Sequence, residues 1–207
     1  VLLALEDIEG AQKAYEEALV HARTLVGLEP SKSTPRRRIE WRRGVAITLY
    51  SIAKILRETE PLSAIDKLNQ AVDISRSIMS IQSSNARRPR DLAFMLVLRG
   101  EIYVQHGIDV QAGLDDCREA ATMLTRRAVE SPRELASQQD LEEQITLIVD
   151  TLEQAEQLNV GSEILMSTIN QLECIASAEE LTGRTEWTEI LIRLQDRSDT
   201  FVVVPNS

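Results

Sequence analysis

Glycine and histidine are scarce in this chain, and their scarcity argues against two classes of site. The eight glycines are scattered singly, so neither of the phosphate-binding loop patterns GxGxxG and GxxxxGKS/T occurs. His21 and His106 are the only histidines, and no HExxH pattern or close Cys/His grouping includes them. We therefore expect no nucleotide, metal or other cofactor site.

Cysteine is equally rare, and no catalytic pattern stands out among the polar residues. Cys117 and Cys174 are far apart and lack a CxxC spacing, which favours reduced thiols in a helical core and a cytoplasmic protein. Acidic pairs such as Glu142-Glu143 fall opposite apolar helix stripes, where carboxylates are normally solvated. With no activated nucleophile pattern either, we predict a protein that is not an enzyme.

Long apolar runs and a basic charge balance are also missing. No run approaches the roughly 18 residues that span a bilayer, and the start lacks the features of a signal peptide. The sequence thus predicts a soluble region without membrane contact. A net charge of −10 disfavours general affinity for nucleic acid. The chain starts at Val1 in an apolar run, which we interpret as a piece of a longer protein.

Apolar residues at three- and four-residue spacing, by contrast, run through almost the whole chain and are typical of amphipathic helices. Stretches rich in proline, glycine and polar residues interrupt this pattern. The predicted helices cover residues 3–27, 38–59, 62–82, 89–106, 109–130, 133–158, 162–182 and 185–196. Phe201 to Val204 favour a strand, so we expect an extended tail after the last helix.

Short turns alternate with longer polar connectors, which predicts helix hairpins stacked in series. Within each hairpin we call the two helices first and second. A triplet of small, large and small residues at i, i+4 and i+7 recurs in the second helices, where it lets another helix approach closely. Its three copies lie 53 residues (11 to 64) and 49 residues (64 to 113) apart. They are Ala11, Tyr15 and Ala18; Ala64, Leu68 and Ala71; and Gly113, Cys117 and Ala120.

The predicted fold class is all-α, an α-α superhelix: a solenoid of antiparallel helix hairpins. One repeat domain is expected over residues 1–182, followed by a short helix and extended tail over 183–207. Its hairpins are placed at about 1–27 (partial), 38–82, 89–130 and 133–182.

These motifs resemble the tetratricopeptide repeat (TPR) family. DIEGAQKAYEEAL matches that family's second helix, with Ala11, Tyr15 and Ala18 at its small, aromatic and small positions. LRGEIY, residues 98–103, resembles the Leu-Gly-Tyr pattern of its first helix. The likeness covers residues 1–130 well and 133–182 only by hairpin pattern. The period near 50 exceeds the family's 34, as in lengthened repeats of bacterial multidomain signalling proteins.

The resemblance implies a groove lined by first helices that binds a protein or peptide. Its candidate residues face away from the second helices: Tyr50, Lys54, Arg57, Phe94, Glu101 and Gln105, with Ile47 and Val97 beside them. Lys54 and Arg57, at i and i+3, are spaced to bind a carboxylate. The alternative is that these are ordinary solvated helix residues.

Arginines gather just before or at the start of first helices, where the helix dipole disfavours them unless an anion compensates. Three interpretations stay open: they pair with acids such as Asp91, Glu130 and Glu134, this edge binds an acidic peptide or a phosphorylated segment, or it binds nucleic acid. The residues concerned are Arg37, Arg38, Arg42, Arg43, Arg88 and Arg90.

The predicted function is a non-catalytic protein–protein interaction or scaffold module. The alternative is a regulatory or sensor domain of a bacterial kinase, ATPase or transcription regulator that binds a peptide or small ligand in its groove. The apolar side of the first helix, 3–27, predicts self-association.

Overall fold

The computed structural model describes residues 8–27, 34–81, 87–180 and 186–202, and this part of the chain contains helices and no strand. The predicted all-α helical-repeat class is therefore confirmed, and the predicted helices match the observed ones in number and order. The observed helices are α1 (Ile8–Val26), α2 (Pro35–Leu56), α3 (Pro61–Ile81), α4 (Arg87–Gln105), α5 (Val110–Glu130), α6 (Leu135–Gln154), α7 (Leu158–Glu180) and α8 (Glu186–Val202).

Proline and capping side chains fix several helix starts. Pro35 and Pro61 occupy first positions, where a missing N–H costs nothing. The Thr34 hydroxyl accepts the backbone N–H of Arg37 at 3.3 Å, and the Asp109 carboxylate accepts that of Ala112 at 3.0 Å. These caps satisfy backbone donors that the helices themselves leave free.

Two residues with a left-handed backbone conformation end helices, and the sequence predicts a helix end at only one of them. Gly107, at φ 60°, follows α4 where the sequence predicts a break. Glu156, at φ 59°, ends α6, and the backbone N–H of Gln157 donates to the Leu152 carbonyl at 2.7 Å. The break predicted at residues 159–162 is therefore wrong: it lies at 155–157, and Gly161 sits inside α7.

The chain divides into two compact units, Val1–Ile102 and Tyr103–Ser207. In the first, α3 runs antiparallel to α2, since Arg42 near the start of α2 donates to the Ser77 hydroxyl near the end of α3 at 2.9 Å. Arg99 of α4 donates to Asn69 of α3 at 2.8 Å. Arg43 bonds Asp91 through two nitrogens, at 2.5 and 3.1 Å. The first helices α2 and α4 thus lie side by side.

The second unit repeats this arrangement with other residues. Arg118 of α5 bonds Glu163 of α7, and the buried hydroxyls of Thr125 and Thr168 lie 3.4 Å apart, so the second helices α5 and α7 run parallel. Salt bridges likewise align the first helices α6 and α8, so stacked hairpins are confirmed in this unit. The bridges are Arg193 to Glu142, and Arg197 to Asp150 and Glu153.

The small–large–small triplets are buried in two of their three copies. Those of α3 and α5 pack in the core, as predicted. In α1, Ala11 is 3% exposed, but Tyr15 is half-buried and Ala18 is exposed. The prediction that Ala18 is a packing position is therefore wrong, because no described helix covers that side of α1.

The C-terminal helix is longer than predicted. α8 extends to Val202, so Phe201 and Val202, which were expected to be extended, are helical. Trp187 of α8 is 0% exposed, and its indole N–H donates to the Pro132 carbonyl at 2.7 Å. α8 thus packs into the second unit. Val203 and Val204 lie outside the described residues, and the domain limits stay a prediction.

Candidate functional site

The predicted groove residues of α2 lie together on one face of that helix. Tyr50 is half-buried, and the Lys54 ammonium nitrogen stands 5.9 Å from the centre of its ring. Lys54 is exposed and makes no salt bridge with any residue in the described part of the chain. The ring keeps this cation beside the groove by a weak cation–π attraction.

Arg57, at the end of α2, lies between two carboxylates. Its Nε is 3.1 Å from Glu58 Oε1, and its Nη1 is 3.6 Å from Glu101 Oε1 of α4. The Arg57 side chain is 40% exposed, so the longer contact is weak and the guanidinium remains accessible. This contact brings two predicted groove residues from different helices together.

Glu101 was predicted to line the groove, and the structure places it beneath the surface. The residue is 6% exposed, and its Oε2 has no hydrogen-bond partner within the described part. Burial raises the pKa of this carboxyl, and the charge of Arg57 opposes that rise. Burial also raises the pKa of Tyr50, with the Glu101 charge adding to the effect. The site thus contains a buried acid with incomplete hydrogen bonding.

The α4 side of the groove holds a second cation on an aromatic ring. The Arg90 guanidinium carbon lies 4.6 Å from the centre of the half-buried Phe94 ring. Val97, expected in the groove, is 2% exposed and belongs to the core, because this side of α4 packs inward. Ile47 is half-buried, and Gln105 is exposed but belongs to the second unit.

The arginine edge is partly used to hold helices together. Arg43 pairs with Asp91, as one interpretation predicts, and this hydrogen bond raises the pKa of the guanidinium. Arg42 bonds Ser77. Arg37 is exposed and Arg38 half-buried, and the Arg88 side chain lies outside the described residues.

The same pairing occurs in the second unit. Arg126 pairs with Glu130 at 2.7 Å, and Arg127 with Glu134 at 3.1 Å, so two of the acids named by the first interpretation do pair with arginine. The sequence did not indicate Asp140, whose carboxylate lies 2.6 Å from Arg127 with both side chains 7% exposed. Asp140 lies in the next helix, α6, so no sequence pattern near Arg127 indicates this pair.

The arrangement on α2 and α4 suits a carboxylate ligand. Lys54 supplies an exposed cation that makes no salt bridge within the described ranges, and Arg57 supplies a planar guanidinium that is only partly paired. Within the described residues, no cluster of His, Cys, Asp and Glu side chains could hold a metal ion. No described helix has the length and hydropathy required to cross a membrane.

Comparisons with known proteins add little to this geometry. No family model and no curated protein matches the chain. Two solved structures resemble it at 17% identity. One, described as "DHF119 filament", has a TM-score of 0.44 over 93% of this chain and 95% of its own. The other, the de novo designed helical repeat protein DHR64, has a TM-score of 0.39 over 94% and 96%. Neither likeness bears on function.

Proposed function

We propose that this chain is a non-catalytic, TPR-like interaction module that binds acidic segments of a partner protein on the face formed by α2 and α4. The observation that carries this proposal is the exposed Lys54, which makes no salt bridge with the residues that the structure describes and lies one turn from the accessible Arg57. In a chain of net charge −10, local cations of this kind select for anionic ligands.

The chemistry of the two cations supports a carboxylate over other anions. Arg57 presents a planar fork that matches a carboxylate, and Lys54 adds a mobile point charge. Tyr50 and Phe94 supply rings against which the apolar part of a peptide side chain packs. Glutamate and aspartate side chains of an extended partner segment satisfy both needs.

A regulatory role in a bacterial signalling protein, in the cytoplasm, is the second candidate. The buried and under-bonded carboxylate of Glu101 favours it, because perturbed acids cluster at functional sites. A kinase, ATPase or DNA-binding segment in the same gene would support this role.

Binding of a defined probe tests the first proposal. The probe is a capped peptide of alternating glutamate and alanine, and a glutamine–alanine peptide is its uncharged control. We expect the double variant K54E/R57E to lose at least about tenfold in affinity, or ~1.4 kcal/mol, because both charge-assisted contacts become repulsive.

A matched variant separates this local effect from the change in net charge. K13E/R126E reverses two exposed cations outside the groove and alters the net charge equally. It should bind the peptide within about twofold of the original chain, since the groove is intact. Equal losses in both double variants, or no loss in K54E/R57E, would remove the groove assignment.

A further inference from the structure

Arg57 is the nearest cation to Glu101, and it is poorly placed to satisfy that carboxylate. The Arg57–Glu101 contact is 3.6 Å, beyond hydrogen-bond length, while the contact to Glu58 is 3.1 Å. Glu101 Oε2 has no partner in the described part of the chain. The buried charge of Glu101 is therefore balanced mainly by the partly exposed guanidinium of Arg57, with a smaller contribution from Lys54.

A ligand carboxylate on Arg57 would weaken this balance. Arg57 would turn toward the ligand, and the added negative charge would lie close to Glu101. A buried carboxylate without a counter-ion is so unfavourable that it gains a proton instead. A neutral carboxylic acid needs no counter-ion and tolerates the anionic ligand nearby.

We propose that Glu101 takes up one proton from solvent when an acidic partner residue binds Arg57. The proton adds to the carboxylate to give a neutral acid, and no other bond changes. This inference rests on the proposed function, because it requires an acidic ligand at Arg57. It gives the groove a defined property: its affinity for acidic segments rises as the pH falls.

The groups that act on Glu101 come from α2 and the turn that follows it. Arg57 and Lys54 favour its charged form, and Glu58 disfavours it. Tyr50 also faces Glu101, but its raised pKa keeps it neutral in this pH range. Among the described residues, α3, which also packs on α4, adds no charged group to this set.

The pH dependence of peptide affinity is the test on the full chain. The glutamate–alanine probe stays ionised above about pH 6. Between about pH 7 and pH 6, we expect its affinity to rise about three- to tenfold, the upper value being uptake of one full proton at every pH in this interval. The E101Q variant should bind with less than about twofold change over this range.

Calorimetry gives a second readout, because it detects proton uptake on binding at a single pH. Binding to the original chain is measured in MES and in imidazole, which differ in ionisation enthalpy, at one pH and one ionic strength. Proton uptake appears as a difference between the two binding enthalpies. E101Q retains every other titratable group of the chain, so the comparison of the two chains isolates Glu101.

The outcomes separate the two proposals. Binding with proton uptake in the original chain and none in E101Q supports the inference. Binding without uptake, or with equal uptake in both chains, overturns it and leaves the proposed function standing. Failure of the probe to bind at any pH overturns both.

Discussion

α1 and α3 contain the same small–large–small motif but bury it to different extents. In α3, Ala64, Leu68 and Ala71 are all 0% exposed, because α2 and α4 both pack against this helix. In α1, which packs on α2, Ala11 is 3% exposed while Ala18 is exposed. The motif therefore identifies a packing face, whereas burial depends on how many neighbouring helices cover that face.

Large apolar residues of α1 and α3 show the same difference in burial. Leu25 of α1 and Ile78 of α3 are 53 positions apart, the separation of the two motifs, and they are 41% and 3% exposed. Val20 of α1 is 64% exposed. α1 thus carries exposed apolar side chains, one of them at a position whose counterpart in α3 is buried.

The largest effect should come from truncating the large residue of the motif in each helix. L68A should destabilise the chain by about 3 to 4 kcal/mol, because it leaves a cavity among three helices. Y15A changes the large residue of the α1 triplet, which is only half-buried, and should lower the free energy of unfolding by about 1 kcal/mol. Urea unfolding followed by circular dichroism measures both. Equal losses would contradict the difference in burial.

Enlarging the small residue should give the next largest effect. A71L should cost about 1 to 3 kcal/mol, because no space is available beside a fully buried alanine. A18L should change the free energy of unfolding by less than about 0.5 kcal/mol, since that position is exposed. Thermal unfolding of the two variants compares them directly, and a large cost for A18L would show that α1 is covered.

A third comparison concerns the effect on stability of neutralising a buried acid, Glu101, and an exposed acid, Asp66. E101Q should stabilise the chain by about 1 kcal/mol at neutral pH, because it removes an under-bonded buried charge. D66N, at a side chain 62% exposed, should have almost no effect.

The stabilisation expected for E101Q depends on pH, and the raised pKa of Glu101 determines the direction of that dependence. Since the folded state raises the pKa of Glu101, protonation favours folding, and stability from this group is lost as pH rises. The advantage of E101Q should therefore shrink as pH falls toward about 4.3, the ordinary glutamate value. An advantage that grows on acidification would show that the carboxylate is well paired.

The smallest effect on stability is expected at the exposed apolar residues of α1. V20E/L25E should change stability by less than about 0.5 kcal/mol, since both side chains are exposed. If α1 self-associates, as the sequence predicts, light scattering will show a concentration-dependent mass, and the double variant, which places charges at two of its exposed apolar positions, will abolish it. A strictly monomeric original chain would remove the self-association prediction.

Much of the fold could be predicted from local signals. Pro35, Pro61 and Gly107 interrupt the helical periodicity where the observed helices begin or end. The end of α6 was missed because a glutamate, Glu156, takes the left-handed conformation that glycine usually supplies. Gly161 suggested a break that the structure does not contain, because glycine is tolerated inside a packed helix.

The site was less predictable than the fold. The i, i+3 spacing of Lys54 and Arg57 indicates a shared face, and the structure brings Arg57 beside Glu101 of α4. Spacing could not show that Glu101 is buried or that Arg90 lies on Phe94. Those features depend on how closely parallel helices approach, which side chains distant in sequence determine.

The central claim is that α2 and α4 form one face that binds acidic segments. Backbone amide NMR spectra of the full chain, recorded during titration with the glutamate–alanine peptide, test it most directly. The account predicts saturable shifts around Lys54, Arg57 and Glu101, with none near Asp66 of α3. Shifts confined to the arginine edge around Arg37, or to α3, would contradict it.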